Sequence, residues 1–252
     1  MKYESLTELL LDHGQEYGSL VDRAISTDTV FCRSLVSEGY LTKEQMHHAA
    51  QRYRLGRSKD GAVVFWEIDE EQKIRDGKLM YYHDNCHRIK EQNASWVSAE
   101  LKASIGLPEE LEPKRCLFGQ HLITETVSVE RLRVGELCSG MRLAFSEMKT
   151  IAVVEAEKTA VILSEHYPDV LWMASGGLTM LNASKLYPLR NHRLVLFPDT
   201  DETGKTYRQW KLVAETAQEF FKYPIRVSPI LESHATPEQK AAKIDLIDYL
   251  FK

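Results

Sequence analysis

The stretch IAVVEAEKTAVIL, residues 151–163, decides the fold of this chain. Its first four residues form a compact apolar run, which is typical of a strand buried on both faces of a sheet. From Lys158 onward, the spacing of Ala, Val, Ile and Leu is that of a helix. Glu155 stands at the junction. The pattern therefore predicts a carboxylate at the carboxyl-terminal edge of a parallel sheet, where open α/β folds place ligands and reacting groups.

A second strand that ends in acidic residues follows further along the chain. The stretch RLVLFPDTDETGKT, residues 193–206, is a hydrophobic strand leading to Asp199 and Asp201, with Gly204 closing the turn. In a D-x-D at a strand end, the first and third side chains point to the same side, so both carboxylates can face one cation. Mg²⁺ prefers oxygen ligands in near-octahedral geometry, with few of them from protein. The pair is therefore a candidate Mg²⁺ site.

A glycine turn lies between these two strands. The stretch VLWMASGG, residues 170–177, predicts a third strand that runs into Gly176 and Gly177. Because glycine lacks a Cβ, such a turn lets the backbone approach a ligand closely. The three strands with their helices predict an α/β fold in which a parallel sheet is flanked by helices.

Strand ends that carry Glu, Gly-Gly and Asp-x-Asp in this order resemble the Toprim domain, which bacterial and phage primases, topoisomerases and related nucleases share. The resemblance covers about residues 150–230. It implies a Rossmann-like sheet in which Glu155 performs general acid/base work or completes the metal site, while Asp199 and Asp201 bind Mg²⁺ or Mn²⁺. Many members carry glycine after the glutamate. This chain has Ala156 there, which is small enough to keep the assignment.

Two other motifs match parts of the same stretch. Residues 199–203 match the D-x-D-x-T nucleophile loop of haloacid-dehalogenase-type phosphatases. That loop normally follows the first strand, whereas here only 46 residues follow Thr206. Gly204, Lys205 and Thr206 resemble the end of a P-loop, but Asp199 stands where that motif requires its first glycine. Position and composition favour the Toprim interpretation.

The region before the Toprim-like strands predicts a smaller α+β subdomain. Residues 61–69 and 74–82 read as two strands of a hairpin or meander, with basic and aromatic side chains around them. Basic groups pair with phosphates and aromatic rings stack on bases, although ordinary sheet packing explains the same composition equally well. The order RLGR (54–57), Gly77-Lys78, HRIK (87–90) and LFGQ (117–120) resembles the succession before the Toprim domain of bacterial primases.

This resemblance favours primases over topoisomerases, and in particular small primase-like proteins of phages and mobile elements. It implies a set of candidate contacts to template or nucleotide phosphates: Lys78, Arg88, Lys90, Lys158, Gly176, Gly177 and Lys205. For Lys158, a solvated lysine is an equally good interpretation. His83, Cys86 and His87 could form half of a zinc site, but the remaining ligands are not evident.

The predicted organisation has three parts: a helical segment over residues 1–55, the α+β subdomain over 56–149, and the Toprim domain over 150–252. Thr42 and Gln45 fit a capping box that opens a helix. Residues 224–230 predict a fourth strand, and a terminal helix starts at Pro237. Its ending, residues 245–250, is similar to the close of Toprim domains in phage primases, with the aspartates expected to face water.

Composition limits the classes of protein. The chain has 252 residues, is 43% hydrophobic and has a net charge of −5, so any basic surface for nucleic acid must be local. No apolar run approaches the roughly 20 residues needed to cross a bilayer, and no signal pattern opens the sequence. Four cysteines without C-x-x-C pairing suggest a reducing compartment, and we expect a cytoplasmic protein that does not bind membranes.

The function that the resemblance implies is Mg²⁺-dependent nucleotidyl transfer on single-stranded DNA. The expected partners are single-stranded DNA, nucleoside triphosphates and a replicative helicase. The separate zinc module of bacterial primases is absent from this sequence, so template capture needs another route. Two alternatives stay open: a Toprim nuclease or phosphoesterase that uses the same acids with water as nucleophile, and a non-catalytic accessory protein of replication or mobilisation.

Overall fold

The computed structural model describes residues 25–105, 113–124 and 149–251. The chain divides into two compact units, residues 1–119 and 120–252. The three-part division predicted from the sequence stays a prediction, and residues 127–148, for which no role was predicted, lie outside the described ones. Among the helices that are described, none combines the length and the apolar character needed to span a bilayer.

Two helices open the described part of the first unit. Helix α1 covers Val30–Ser37 and begins where the Thr29 side chain accepts a hydrogen bond from the amide of Cys32. Helix α2 covers Lys43–Tyr53 and begins with the predicted capping box between Thr42 and Gln45, which is confirmed. These helices confirm the helical character predicted for this segment from residue 30 onward; residues 1–24 are not described.

The first unit contains an antiparallel sheet with the order β1-β2-β3-β4, so the predicted meander is confirmed. Its strands are β1 (Gly56–Arg57), β2 (Val63–Ile68), β3 (Ile74–Met80) and β4 (Ser95–Trp96), followed by helix α3 (Val97–Ile105). Phe65 of β2 lies at the centre of an aromatic core. Its ring meets Phe31 at 5.1 Å and Phe118 at 5.5 Å, both edge to face.

The second unit is built on a parallel sheet with the order β6-β5-β7-β8. Its strands are β5 (Thr150–Val154), β6 (Val170–Ala174), β7 (Leu194–Phe197) and β8 (Arg226–Val227). β5 lies between two neighbours and is covered on both faces, which explains why its sequence is continuously apolar rather than alternating. The predicted α/β architecture is confirmed.

Helices flank this sheet: α4 (Glu157–His166), α5 (Ala183–Leu186), α6 (Lys205–Ala217), α7 (Ile230–His234), α8 (Pro237–Ala242) and α9 (Leu246–Phe251). Residues 160–163 of α4 are fully buried, as is Trp210 of α6. Burial of such side chains contributes about 1.5–3 kcal/mol each relative to exposure. Helix α4 begins shortly after β5, and α6 begins after the loop that follows β7 and carries Asp199 and Asp201.

Two predictions about the C-terminal part were wrong in extent. The fourth strand is only Arg226–Val227, since Pro224 and Pro229 have no amide hydrogen to donate to a ladder. The terminal helix is broken after Ala242, where Lys243 adopts a left-handed conformation with φ of 54°. A new helix, α9, then begins, which changes where the two aspartates of this ending lie.

Candidate active site

The carboxyl ends of β5 and β6 meet at one edge of the parallel sheet. Glu155 follows β5, and its carbonyl accepts a hydrogen bond of 3.1 Å from the amide of Gly176. Ser175 is bound in the same way to Val154 at 3.0 Å. Gly176 and Gly177 have φ values of 89° and 150°, a region in which a side chain would be strained. The predicted glycine turn therefore lies directly beside Glu155.

Asp199 lies among other carboxylates at this edge. Burial raises the pKa of Asp199 well above its ordinary value, and the negative charges of Glu155, Asp245 and Asp248 raise that pKa further. The Lys158 ammonium acts in the opposite direction. We call the set Glu155, Asp199, Asp245 and Asp248 the carboxylate cluster. The raised pKa thus follows first from burial and then from three carboxylates near Asp199.

Asp245 faces the interior, so the prediction that the aspartates of the terminal helix face water was wrong for this residue. The Thr159 hydroxyl donates a buried hydrogen bond of 2.9 Å to Asp245 Oδ2. Asp245 Oδ1 accepts a bond of 2.9 Å from the amide of Asp248, which caps the start of α9. Leu250, near the end of α9, is 40% exposed. Asp245 stands between the break at Lys243 and the start of α9, and its carboxylate contacts helix α4 through Thr159.

The carboxylate of Asp201 accepts hydrogen bonds from the turn that leads into helix α6. Its Oδ1 accepts hydrogen bonds from the amide and hydroxyl of Thr203, at 2.8 and 2.6 Å, and its Oδ2 accepts one of 2.7 Å from the amide of Thr206. Burial alone would raise the pKa of Asp201, but these bonds hold that pKa below its ordinary value. Asp201 therefore anchors the start of helix α6, whose N-cap residue is Gly204, through the amides of Lys205 and Thr206. Its predicted role in binding a cation stays a prediction.

Lysines also lie at this edge. Lys158 and Lys205 stand in the first turns of α4 and α6, the positions predicted for phosphate contacts. Lys185 was missed by the sequence analysis: it is buried on the short helix α5, and its Nζ donates a hydrogen bond of 3.4 Å to the carbonyl of Ser175. No local pattern signals a lysine that is buried by tertiary packing.

The other predicted phosphate contacts lie in the first unit. Lys78 is buried in the middle of β3, opposite Phe65, whereas Arg88 and Lys90 are exposed in the segment after that strand. Cys86, a residue of the possible zinc motif, is buried with its Sγ 3.1 Å from the Ser34 hydroxyl. Whether these side chains contact nucleic acid stays a prediction.

The chemistry of the carboxylate cluster fits a hard divalent cation. In the part of the chain that the structure describes, no three His, Cys, Asp or Glu side chains are positioned to hold a metal ion as a protein-only set. Mg²⁺ commonly binds through one or two carboxylates and takes its other ligands from water and phosphate. Charge concentrated around Asp199 would be neutralised by such an ion. Glu155 and Asp199 are therefore the first candidates to hold it.

Solved structures similar to this one include the DnaG catalytic core, with a TM-score of 0.51 and 13% sequence identity over 92% of this chain and 76% of that chain. The primase fragment of the bacteriophage T7 primase-helicase protein gives 0.43 and 16% over 85% and 68%. The E. coli primase catalytic core gives 0.42 and 12% over 97% and 74%. The first of these comparisons defines the class: a mixed α/β protein with the fold of a primase catalytic core.

The family is defined by sequence. The chain belongs to the family described as a domain of unknown function, DUF6371, whose model matches residues 30–134 and 138–200. The match includes Glu155, the glycine turn and Asp199, but ends before Asp201. No curated protein matches the chain.

Proposed function

We propose that this protein transfers nucleotides onto nucleic acid in a metal-dependent, primase-like reaction on single-stranded DNA, in the replication of a phage or mobile element. The observation that carries the proposal is the carboxylate cluster at the carboxyl edge of a sheet that has the primase-core fold. Parallel sheets of this type place ligands at that edge. The order of Glu, Gly-Gly and Asp-x-Asp along the chain is additional support.

The side chains of the site divide into two kinds of role. Asp199 and Glu155 hold the cation, and the carboxylate of Glu155 accepts the proton of the attacking hydroxyl or completes the metal site. When bound, Mg²⁺ or Mn²⁺ supplies charge stabilisation at phosphate oxygens. Asp201 fixes the start of α6 through its amide contacts and presents its remaining electron pairs to the same edge. Asp245, held by Thr159, sets the negative potential of the cluster.

Lysines and backbone supply the contacts to the substrate. The glycine turn at residues 176–177 lets a triphosphate approach the backbone beside Glu155. Lys158 and Lys205 neutralise its phosphates from the first turns of α4 and α6, where the helix dipoles also favour negative charge. Lys78, Arg88 and Lys90 of the first unit contact the template or nucleotide. A replicative helicase remains part of the proposal as a partner.

A priming assay tests the proposal. The purified full chain is incubated with single-stranded DNA, labelled nucleoside triphosphates and Mg²⁺ or Mn²⁺, and the products are separated on a sequencing gel. The variants are Asp199→Asn and, as a matched control, Asp169→Asn, which removes an exposed aspartate that precedes β6. We expect short new oligonucleotides from the parent and from Asp169→Asn, and none from Asp199→Asn.

The same gel separates the other classes of function. If the parent protein shortens the template and Asp199→Asn does not, the reaction is hydrolysis rather than synthesis, and the protein is a nuclease. An unchanged template with no product, in the presence of either cation, would overturn the catalytic proposal and favour an accessory role.

A further inference from the structure

The opposite edge of the parallel sheet carries a surface that the proposed reaction does not use. Helix α6 starts at the carboxyl edge and runs back over the sheet for 13 residues, about 20 Å at 1.5 Å per residue. It is followed by a 3₁₀ turn, Gln218–Phe220, and then by β8. A second 3₁₀ turn, Tyr187–Leu189, precedes β7. Both turns therefore lie at the amino edge, where β7 and β8 begin.

Aromatic and basic side chains of these two turns form one surface. The rings of Tyr187 and Phe220 meet edge to face at 5.5 Å, and these side chains are 48% and 37% exposed. The amide of Lys222 donates a hydrogen bond of 2.9 Å to the carbonyl of Arg190, which ties the two segments together. We call Tyr187, Arg190, Phe220 and Lys222 the amino-edge patch.

The guanidinium of Arg190 is already positioned in this patch. Its Cζ lies 4.2 Å from the centre of the Tyr187 ring, and its Nη1 donates a hydrogen bond of 3.1 Å to the Tyr187 carbonyl. A guanidinium held over one face of a ring presents a flat, charged plane to an incoming base or phosphate. Two exposed rings and one stacked arginine are thus pre-organised within a small area.

The charge around the patch is mainly positive. In the segments that lead into the four strands, the exposed basic side chains are Lys149, Arg193, Lys222 and Arg226. Asp169 and Glu219 are the acidic residues of the same segments, residues 149–150, 166–170, 187–194 and 218–226. The whole chain has a net charge of −5, so this local excess is a feature of the edge.

We propose that the amino-edge patch is a binding site for single-stranded nucleic acid, separate from the carboxylate cluster. Exposed rings stack on unpaired bases of any sequence, and lysine and arginine beside them pair with the phosphates. Protein interfaces are also rich in aromatic residues and arginine, but their cores are depleted of lysine, which fits this surface less well. The inference goes beyond the proposed reaction and does not require it.

Fluorescence anisotropy of a labelled oligodeoxythymidine measures this binding. The full chain is titrated in EDTA, which keeps any cation site at the carboxyl edge empty of metal. We expect the double variant Tyr187→Ala, Phe220→Ala to weaken binding about tenfold or more, because the loss of even one base stacked on an aromatic ring lowers the affinity by about that factor. Leu212→Ala is the matched control, since Leu212 is 63% exposed on the same unit but lies outside the patch.

A second variant tests the charges without removing the rings. We expect Arg190→Gln, Lys222→Gln to reduce the slope of log affinity against log salt by about 1.4, because each phosphate contact with a single strand contributes about 0.7. Lys211→Gln, an exposed lysine of α6, should leave the slope unchanged. Thermal unfolding of every variant shows whether the fold is intact. If the aromatic variant does not fold, the salt dependence of the charge variant tests whether the patch binds nucleic acid.

Several outcomes would overturn the inference. Affinity that is equal in the aromatic variant and in Leu212→Ala would show that the rings do not bind bases. An unchanged salt slope in the charge variant would show that its cations contact no phosphate. If the aromatic variant instead loses self-association in sedimentation at unchanged affinity for the oligonucleotide, the patch is a protein interface. If the parent makes no primers but binds the oligonucleotide, and the patch variants lose that binding, only the proposed reaction is overturned.

Discussion

The two edges of the parallel sheet differ in charge and in the way they are built. The carboxyl edge gathers the carboxylate of Asp199, three further carboxylates around it and a glycine turn. The amino edge gathers exposed rings and basic side chains, among which acidic residues are few. Because both lie on one unit, a net charge of −5 describes neither edge. The comparison indicates that a protein with a negative net charge can carry a cation site and a phosphate-binding surface on opposite edges of one sheet.

The largest expected effect separates catalysis from binding. Asp199→Asn should lower the rate of nucleotide addition about a thousandfold, because charge stabilisation by a bound metal is worth several kcal/mol and each 1.36 kcal/mol is tenfold in rate. Affinity for oligodeoxythymidine in EDTA should remain that of the parent. Equal loss of rate and of affinity would mean that the two edges do not act separately.

Asp201 tests whether the D-x-D pair acts as one unit. Asp201→Asn should lower metal-dependent activity about a hundredfold or more and still fold, although asparagine keeps only one of the two oxygens that accept from the amides of Thr203 and Thr206. Asp201→Ala should lose the activity and also about 0.5–2 kcal/mol of stability, since the amides of Thr203 and Thr206 lose their acceptor. Activity is read from the priming gel and stability from urea unfolding. Full activity in Asp201→Asn would restrict this residue to anchoring helix α6.

Thr159 tests how the terminal helix is tied to the carboxyl edge. Thr159→Val keeps the shape of the side chain but removes the buried hydrogen bond to Asp245, which should cost about 1–3 kcal/mol in the free energy of unfolding. Thr216→Val, which removes an exposed bond to the Leu212 carbonyl, is the matched control and should change stability by less than about 0.5 kcal/mol. Equal effects of the two changes would show that Asp245 is not anchored in this way.

The burial of Asp199, together with the repulsion from its neighbouring carboxylates, predicts the smallest effect, one on stability. A carboxyl whose pKa is raised in the folded state favours folding less and less as pH rises from its ordinary value of 3.8 toward the raised one. Metal-free Asp199→Asn should therefore unfold at a higher temperature than the parent at neutral pH, by about 2–4 °C for each kcal/mol relieved. Differential scanning calorimetry in EDTA measures this. A lower Tm in the variant would mean that Asp199 stabilises the metal-free fold.

The central strands were predictable because their surroundings are uniform. Strands β5 and β6 are buried on both faces, so each appears as a continuous apolar run in the sequence. Strand β7 alternates between buried and half-buried residues but is also entirely apolar. The residues that follow each run fall at the carboxyl edge. The positions of Glu155 and the glycine turn beside each other followed from this rule. Helix starts with a capping box were predictable for the same local reason.

Features that depend on distant contacts were not predictable. The buried position of Asp245 involves a hydrogen bond from Thr159, which lies 86 residues away in the sequence. Lys185 is buried where its Nζ donates a hydrogen bond to the carbonyl of Ser175, ten residues earlier and next to the glycine turn. Tyr187 and Phe220 meet only because β7 and β8 are neighbours in the sheet. The amino-edge patch therefore has no signature in any single stretch of sequence.

Binding of Mn²⁺ is the most direct measurement on the central claim, which is that the carboxyl edge holds the catalytic cation. Electron paramagnetic resonance of free Mn²⁺ during a titration gives the affinity and stoichiometry for the parent, for Asp199→Asn and for Asp169→Asn at the opposite edge. The account predicts binding by the parent and by Asp169→Asn, and loss of that binding in Asp199→Asn. Binding that is the same in all three proteins, or absent from the parent, would contradict it.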